Sequence, residues 1–210
     1  MPHPDVAGSY RNIGNVYDSQ GRYEEALFHH QKALEVFLAL FGQEHPDVAK
    51  SRNGIGNVLV RMGKYEEALV EHQKALEVLL AVHGQEHIDV AGAYNNIAIV
   101  YREQGRYEEA LDYDHRSLDT RVRVVGQEHP SVAATYNNMG MVYEEQGRYE
   151  EALDYYHRSL DIQVRVVGHE HPSVAASCNN IGVVYRKKGD LENALLQHQR
   201  ALEIRTRVFG

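Results

Sequence analysis

The sequence predicts an all-α solenoid built from five helix-turn-helix units, ten antiparallel helices in all, and three observations lead there. Sliding the chain against itself by 42 residues aligns it from end to end. The units 1–42, 43–84, 85–126, 127–168 and 169–210 then account for all 210 residues without remainder. Glycines recur at fixed places, Gly21, Gly63, Gly105, Gly147 and Gly189 in mid-unit and Gly42, Gly84, Gly126, Gly168 and Gly210 at each close. Between them, apolar residues recur at spacings of three and four, the period of a helix with one packed face. One helix pair cannot bury such a face alone, so the pairs are expected to stack as a single domain, 1–210, stabilised by nearest-neighbour interfaces.

The first helix of a unit is expected to start at a proline preceded by histidine: His3 and Pro4, His45 and Pro46, His129 and Pro130, His171 and Pro172. Proline's fixed φ and missing N–H suit the first turn. Ile88 is the one exception. The second helix is expected to start near Tyr23, with Glu24 and Glu25 where the helix dipole favours negative charge. It runs about 18 residues to the closing glycine, roughly 27 Å. Tyr10, Ile13, Gly14 and Tyr17 form the packed stripe of the first helix, and Ala26, Leu27, Ala33 and Leu34 that of the second. Small residues at Gly14, Ala26 and Ala33, with counterparts such as Ala98, Ala68, Ala110 and Ala75, let the two axes approach closely.

Composition narrows the function classes. A chain 43% hydrophobic and 25% charged is ordinary for a folded protein. No apolar run approaches the length needed to span a bilayer, and MPHPDV lacks the basic and apolar regions of a signal peptide. Cys178 is the only cysteine, so no intramolecular disulfide forms and a reducing compartment, the cytoplasm, is expected. A net charge of -8 argues against nucleic acid and anionic membrane as partners, since both require clustered Lys and Arg.

The run SYRNIGNVYDSQGRYEEALFHHQKAL resembles the tetratricopeptide repeat: aromatic, aliphatic, Gly, Tyr, turn Gly, Tyr, Ala, then a second Ala. The usual unit has about 34 residues, whereas here the second helix continues past Leu38 into GQEHPDVA. That longer form, with EHP, VA, NN, QG, YEEA and ALE, is similar to the repeats of kinesin light chains and related arrays. The heptad region and acidic segment of kinesin light chains have no counterpart in these 210 residues. The resemblance implies a right-handed superhelix whose first helices line a concave groove, an activity of peptide binding, and no catalysis or cofactor.

Setting the packed stripe aside leaves the other face of each first helix. In unit one this is Gly8, Arg11, Asn15, Asp18 and Ser19; in unit two Lys50, Asn53, Asn57, Val60 and Arg61; in unit three Gly92, Asn95, Ile99, Arg102 and Glu103. Units four and five contribute Ala134, Asn137, Met141, Glu144 and Glu145, then Ala176, Asn179, Val183, Arg186 and Lys187. Asn53, Asn95, Asn137 and Asn179 make a carboxamide ladder, with Ile99, Met141 and Val183 an apolar strip beside it. A carboxamide offers two donors and an acceptor, so a row of them grips the main chain of an extended peptide whatever its sequence. The apolar strip takes hydrophobic anchors, while Arg102, Arg186 and Lys187 against Glu103, Glu144 and Glu145 set charge preference. On this reading Asn95, costly in a helix by roughly 0.5 kcal/mol, is kept because it faces a ligand. Asn12, Asn96, Asn138 and Asn180 are expected to be part groove, part inter-repeat hydrogen bond. A competing reading has the whole ladder bonding between neighbouring helices and the strip packing against the next unit.

A clamp of lysines, arginine and asparagines for a free carboxylate, known in some tetratricopeptide domains, fails here. Arg11 and Asn15 could begin it, but Gly54 and Gly92 stand where the next asparagine and lysine would be needed. Charge runs -2, -1, -3, -4 and +2 along the five units, so an acidic end of a peptide is expected to point toward the last. Thirteen histidines invite a metal reading, especially His169 and His171 around Glu170. No HExxH occurs, and the column His3, His45, His87, His129 and His171 is one per unit, roughly 20 Å apart, so no metal site is expected. That column is read as a helix-end hydrogen-bonding residue. NGIGNV around Gly54 and Gly56 lies within a helix and is no phosphate loop. Cys178 replaces Tyr10, Tyr94 and Tyr136 on the packed stripe and reads as a buried structural thiol.

The function expected is therefore a noncatalytic adaptor that holds a peptide or partner segment in its groove. The alternative is a structural array: Leu195, Leu202, Ile204 and Val208 in the last helix form an apolar stripe that invites head-to-tail self-association.

Overall fold

A computed structural model describes residues 3–210; Met1 and Pro2, which open the MPHPDV stretch, lie outside the described residues. Among these, ten helices and no strand follow one another. The first helices are α1 (Pro4–Ser19), α3 (Pro46–Arg61), α5 (Ile88–Glu103), α7 (Pro130–Glu145) and α9 (Pro172–Lys188). The second helices are α2 (Tyr23–Phe41), α4 (Tyr65–His83), α6 (Tyr107–Val125), α8 (Tyr149–Val167) and α10 (Leu191–Phe209). None is long and apolar enough to cross a membrane.

Histidine starts every first helix by direct capping. His3, His45, His87, His129 and His171 are extended, and each Nδ1 accepts the backbone N–H two residues on, at 3.1 to 3.2 Å. The imidazole thus does the work usually given to Ser or Asp, satisfying one of the N–H groups that a helix leaves unpaired. This explains how Ile88 is tolerated in place of proline: His87 still supplies the cap.

The hairpin between paired helices is closed by Gly21 and its counterparts. Gly21 has φ 73°, a left-handed conformation, and places its N–H on Asp18 O at 2.9 Å while Arg22 N–H reaches Tyr17 O at 2.9 Å. Arg22 then lies 4.2 Å over the Tyr17 ring and donates to Glu25 Oε1 at 2.7 Å. Arg106 with Tyr101 and Glu109, and Arg148 with Tyr143 and Glu151, repeat the arrangement. One arginine therefore ties the end of one helix to the start of the next.

Between the paired helices Ala26, Ala33, Ala68 and Ala75 are fully buried, and the glycines sit against rings. A Cβ on Gly14 would come 2.9 Å from the His30 ring, on Gly56 2.6 Å from His72, on Gly140 2.8 Å from Tyr156 and on Gly182 2.9 Å from His198. Unit three differs on both sides of this contact. Ala98 stands in the glycine place and Asp114, buried, in the ring place. A short side chain there leaves room for the methyl group that a ring does not.

The helices group into two compact units, Met1–Thr120 and Arg121–Gly210, divided inside α6. In the first, α2 packs on α3 and α4 on α5 through apolar clusters: Ala7, Ala33, Phe37 and Val48, then Ala49, Ala75, Leu79, Val90 and Ala93. In the second, the places of Phe37 and Leu79 fall to polar residues. Arg121 donates to Ser131 O at 2.6 Å and Thr135 Oγ1 at 2.8 Å, and Gln163 Oε1 accepts from Ser177 Oγ at 2.9 Å. Cys178 is fully buried in the cluster around Tyr156, Leu160 and Ile181, and burial pushes its thiol pKa up, away from the thiolate that reactivity requires.

The glycine contacts yield a stability prediction. His72 is buried and held on its far side by Asn53, so Gly56→Ala forces the ring or the helix to shift. It is expected to lose about 1–3 kcal/mol in urea unfolding, against a gain of up to about 1 kcal/mol on helix propensity alone. A variant as stable as the parent would show that the close approach is not limiting.

Candidate functional site

The candidate residues lie on the first helices, where their spacing and the 42-residue period bring them to equivalent places. None of Arg11, Asn15, Asn53, Asn57, Asn95, Ile99, Arg102, Asn137, Met141, Glu144, Asn179, Val183 and Arg186 is fully buried. Asn15, Asn57 and Arg186 are exposed, and the other ten are half-buried.

Within the first compact unit, Arg11 Nη1 donates to Asp47 Oδ1 at 2.9 Å, joining repeats one and two, and its guanidinium lies 5.5 Å from the Phe37 ring. Asn53 Oδ1 meets His72 Nδ1 at 2.9 Å, inside its own repeat. Asp18 pairs with Arg61 at 3.1 Å and Arg102 with Glu103 at 2.6 Å. Within the second, Asn137 Oδ1 accepts from Asn180 Nδ2 at 2.9 Å, and Asn137 Nδ2 reaches Met141 Sδ at 3.6 Å. Glu144 accepts from Tyr156 OH at 2.7 Å and pairs with Lys187 at 2.9 Å.

The amides are engaged unevenly. The bond from Asn180 to Asn137 is inter-repeat, and it joins the two asparagine columns. Asn53 is engaged within its repeat. Yet Asn53 Nδ2 and the whole Asn179 carboxamide make no hydrogen bond among the described residues, and neither group is buried. Glu144 has 14% side-chain exposure and two partners, Tyr156 and Lys187. Met141 is partly packed on the core cluster of the second unit.

Two features were missed at the sequence level. Gly8 and Gly92, mid-helix, have open space where a Cβ would stand, so packing does not require them, although each costs a helix about 1 kcal/mol relative to alanine. Beside Gly92 a cavity of about 190 Å³ has Leu79 and Ala93 among its apolar walls and Lys50, Asn53, Asp89 and Asn96 among its polar ones. A larger one of about 370 Å³ opens beside Gly8, with Arg11, Phe37 and Asp47 in its wall. The signal was the column itself, where units four and five carry Ala134 and Ala176. The second feature is His83, which joins His87 and Asp89 at the end of α4; its signal in the sequence is the spacing His-x3-His-x-Asp, which the one-per-unit histidine column does not contain.

Helix pairs at a constant period, capped and closed alike and packed one on the next within each unit, define an α-solenoid repeat protein. The chain belongs to the tetratricopeptide repeat family, whose sequence profile matches residues 5–81, 89–156 and 131–207. No curated protein matches it by sequence. Among solved structures, BtubC (BKLC) from P. vanneervenii superposes with a TM-score of 0.84 at 24% identity over 99% of this chain and 82% of that one. A Podosopora anserina protein assigned to the kinesin light chains, with nearly identical TPR-like repeats, gives 0.80 at 20% over 100% and 99%. A Rap conjugation gene regulator of plasmid pLS20, in complex with the Phr* peptide, gives 0.76 at 16% over 95% of this chain and 53% of that one. At these identities the likeness is one of fold.

The engagement of His72 carries a pH prediction. Burial lowers its pKa from 6.5 to about 4, so the unfolded chain binds the proton first as pH falls. The stability of the neutral ring is complete above pH 6.5 and is lost as pH falls from there toward 4. About 2 kcal/mol should disappear between pH 6.5 and 5. His72→Tyr, which copies Tyr156 opposite Gly140, should flatten this part of the urea-stability profile; an unchanged slope would show that His72 is not its source.

Proposed function

We propose that the chain is a noncatalytic adaptor that binds an extended peptide or partner segment along its first helices, in the manner of a kinesin light chain and in the cytoplasm. The observation that carries the reading is the unbonded Asn53 amide group on the wall of the cavity beside Gly92. Gly92 admits close backbone approach, Asn53 and Asn179 offer unused amide groups, and the apolar wall at Leu79 and Ala93 takes a hydrophobic side chain. The Rap structure in complex with the Phr* peptide, of like fold, supports a peptide as the class of ligand. Arg186, exposed, and the +2 charge of the last repeat favour a segment whose acidic end lies there.

A peptide-array screen on the 210-residue chain followed by titration of the hits tests this. Asn179→Ala and Gly92→Ala remove no hydrogen bond and should hold or raise the stability to unfolding, by about 1 kcal/mol at Gly92. Each should nevertheless weaken binding at least about tenfold where its repeat is engaged, the equivalent of 1.4 kcal/mol. Hits whose affinity neither variant changes would reject these faces as the binding surface.

A second reading, head-to-tail association with another copy, is favoured by the internal junction. Leu27, Ile55 and Leu59 share one cavity between α2 and α3. Ile13 and Tyr17, the equivalents of Ile55 and Leu59, line an exposed one on α1 together with Val16, while Leu195, the equivalent of Leu27, and Leu202 are 59% and 64% exposed on α10. Leu195 of one copy against Ile13 and Tyr17 of the next rebuilds that junction, and Asn12 on Asn179 rebuilds the bond of Asn180 on Asn137. Sedimentation velocity should show mass growing with concentration, abolished by Ile13→Glu; a monomer at all concentrations would discard this reading.

A further inference from the structure

The connection between α4 and α5 gathers ligand-type side chains found together at no other place among the described residues. We propose that His83, His87 and Asp89 bind a divalent transition-metal cation of the Zn²⁺ type, with water completing a tetrahedral shell. His83 ends α4, His87 caps α5, and Asp89 lies in the first turn of α5. His83 Nε2 stands 4.0 Å, and His87 Nδ1 3.8 Å, from the same oxygen, Asp89 Oδ2. Metal–ligand bonds of about 2.1 Å put tetrahedral ligand atoms roughly 3.4 Å apart, so closure requires side-chain shifts of about half an ångström.

Two independent features point to an ion. His83 Nε2 is shielded from solvent and has no hydrogen-bond partner, a costly state for a polar atom that coordination would relieve. His83 also departs from its column, where Phe41, Val125, Val167 and Phe209 stand. Phe41 stacks on the capping His45 at 4.1 Å and 20°, so packing at this junction does not call for an imidazole. His83 stacks on His87 in the same way, at 3.9 Å and 8°.

Coordination exacts two changes. The parallel rings rotate apart so that both in-plane lone pairs aim at one point; side-chain exposures of 24% and 36% leave room for this. His87 Nδ1 also exchanges its cap bond from Asp89 N–H for the metal. These changes set the affinity in the micromolar range, below that of closed four-ligand structural sites. Two imidazoles and one carboxylate select Zn²⁺ and its neighbours over Ca²⁺ or Mg²⁺, which favour all-oxygen shells. Because Asp89 also lines the cavity beside Gly92, occupancy would neutralise one wall of it.

Calorimetric titration of ZnCl₂ into the 210-residue chain, with visible spectra of the Co²⁺ form, tests the site. The parent should bind with a micromolar component of one equivalent and show tetrahedral Co²⁺ bands. His83→Phe, which reproduces the stack of Phe41 on His45, should lose that component and the bands. Asp89→Asn, which keeps the cap N–H, should weaken binding at least tenfold. A parent that does not bind, or either variant binding with the parent's stoichiometry and affinity, overturns the proposal.

Discussion

The distance between the two helices of a pair governs the rest of the structure. At Gly14, Gly56, Gly140 and Gly182 an added Cβ would meet a ring at 2.6 to 2.9 Å, so the axes are as close as backbone and ring allow. That closeness buries Ala26, Ala33, Ala68 and Ala75 completely. In repeat two the buried ring at this contact takes a polar partner, Asn53, a residue of the outward face. Packing inside a repeat therefore determines how much of that carboxamide remains for anything else.

The skeleton was legible in the sequence because it is repeated. The helix starts at histidine and the turns at Gly21 and its counterparts reappear in the structure at the predicted places, and so do the stripes at three and four except at Ile13, which is 42% exposed on α1 although it was expected on the packed stripe. What could not be read was pairing across the repeat. His30, His72, Asp114, Tyr156 and His198 share one place but no obvious chemistry, and only the opposite residue, glycine or Ala98, makes sense of them. Likewise the asparagine columns look uniform, yet Asn53 is bonded within its repeat, Asn137 to the next repeat, and Asn179 to nothing described. Side-chain reach and local neighbours decide this, and a period carries no information about either.

Divergence between the two compact units follows the same logic. The junctions of the first use Phe37 on Val48 and Leu79 on Val90. The second places Arg121 on Thr135 and Gln163 on Ser177 in equivalent positions. A buried hydrogen bond is directional where an apolar contact is not, and its partners are costly to separate. Polar contacts therefore add a directional constraint on register to the apolar cluster that the second unit also has at α8 and α9. The cavities beside Gly8 and Gly92 both lie in the first unit.

Residues that violate local rules without a packing reason are the strongest pointers to function in a repeat protein, because neighbouring repeats supply the control. Ala134 and Ala176 show that the helix accepts alanine where Gly8 and Gly92 stand, and nothing fills the space their glycines leave. Phe41 shows that the cap accepts a plain ring where His83 stands. Asn179 retains a helix-unfavourable side chain that bonds to nothing described. Gly14 and Gly56 look equally unfavourable in a helix, but the rings against them account for both. The distinction between a glycine that packs and a glycine that opens space separates positions fixed by packing from positions that packing leaves open, and it requires coordinates because both read as the same letter.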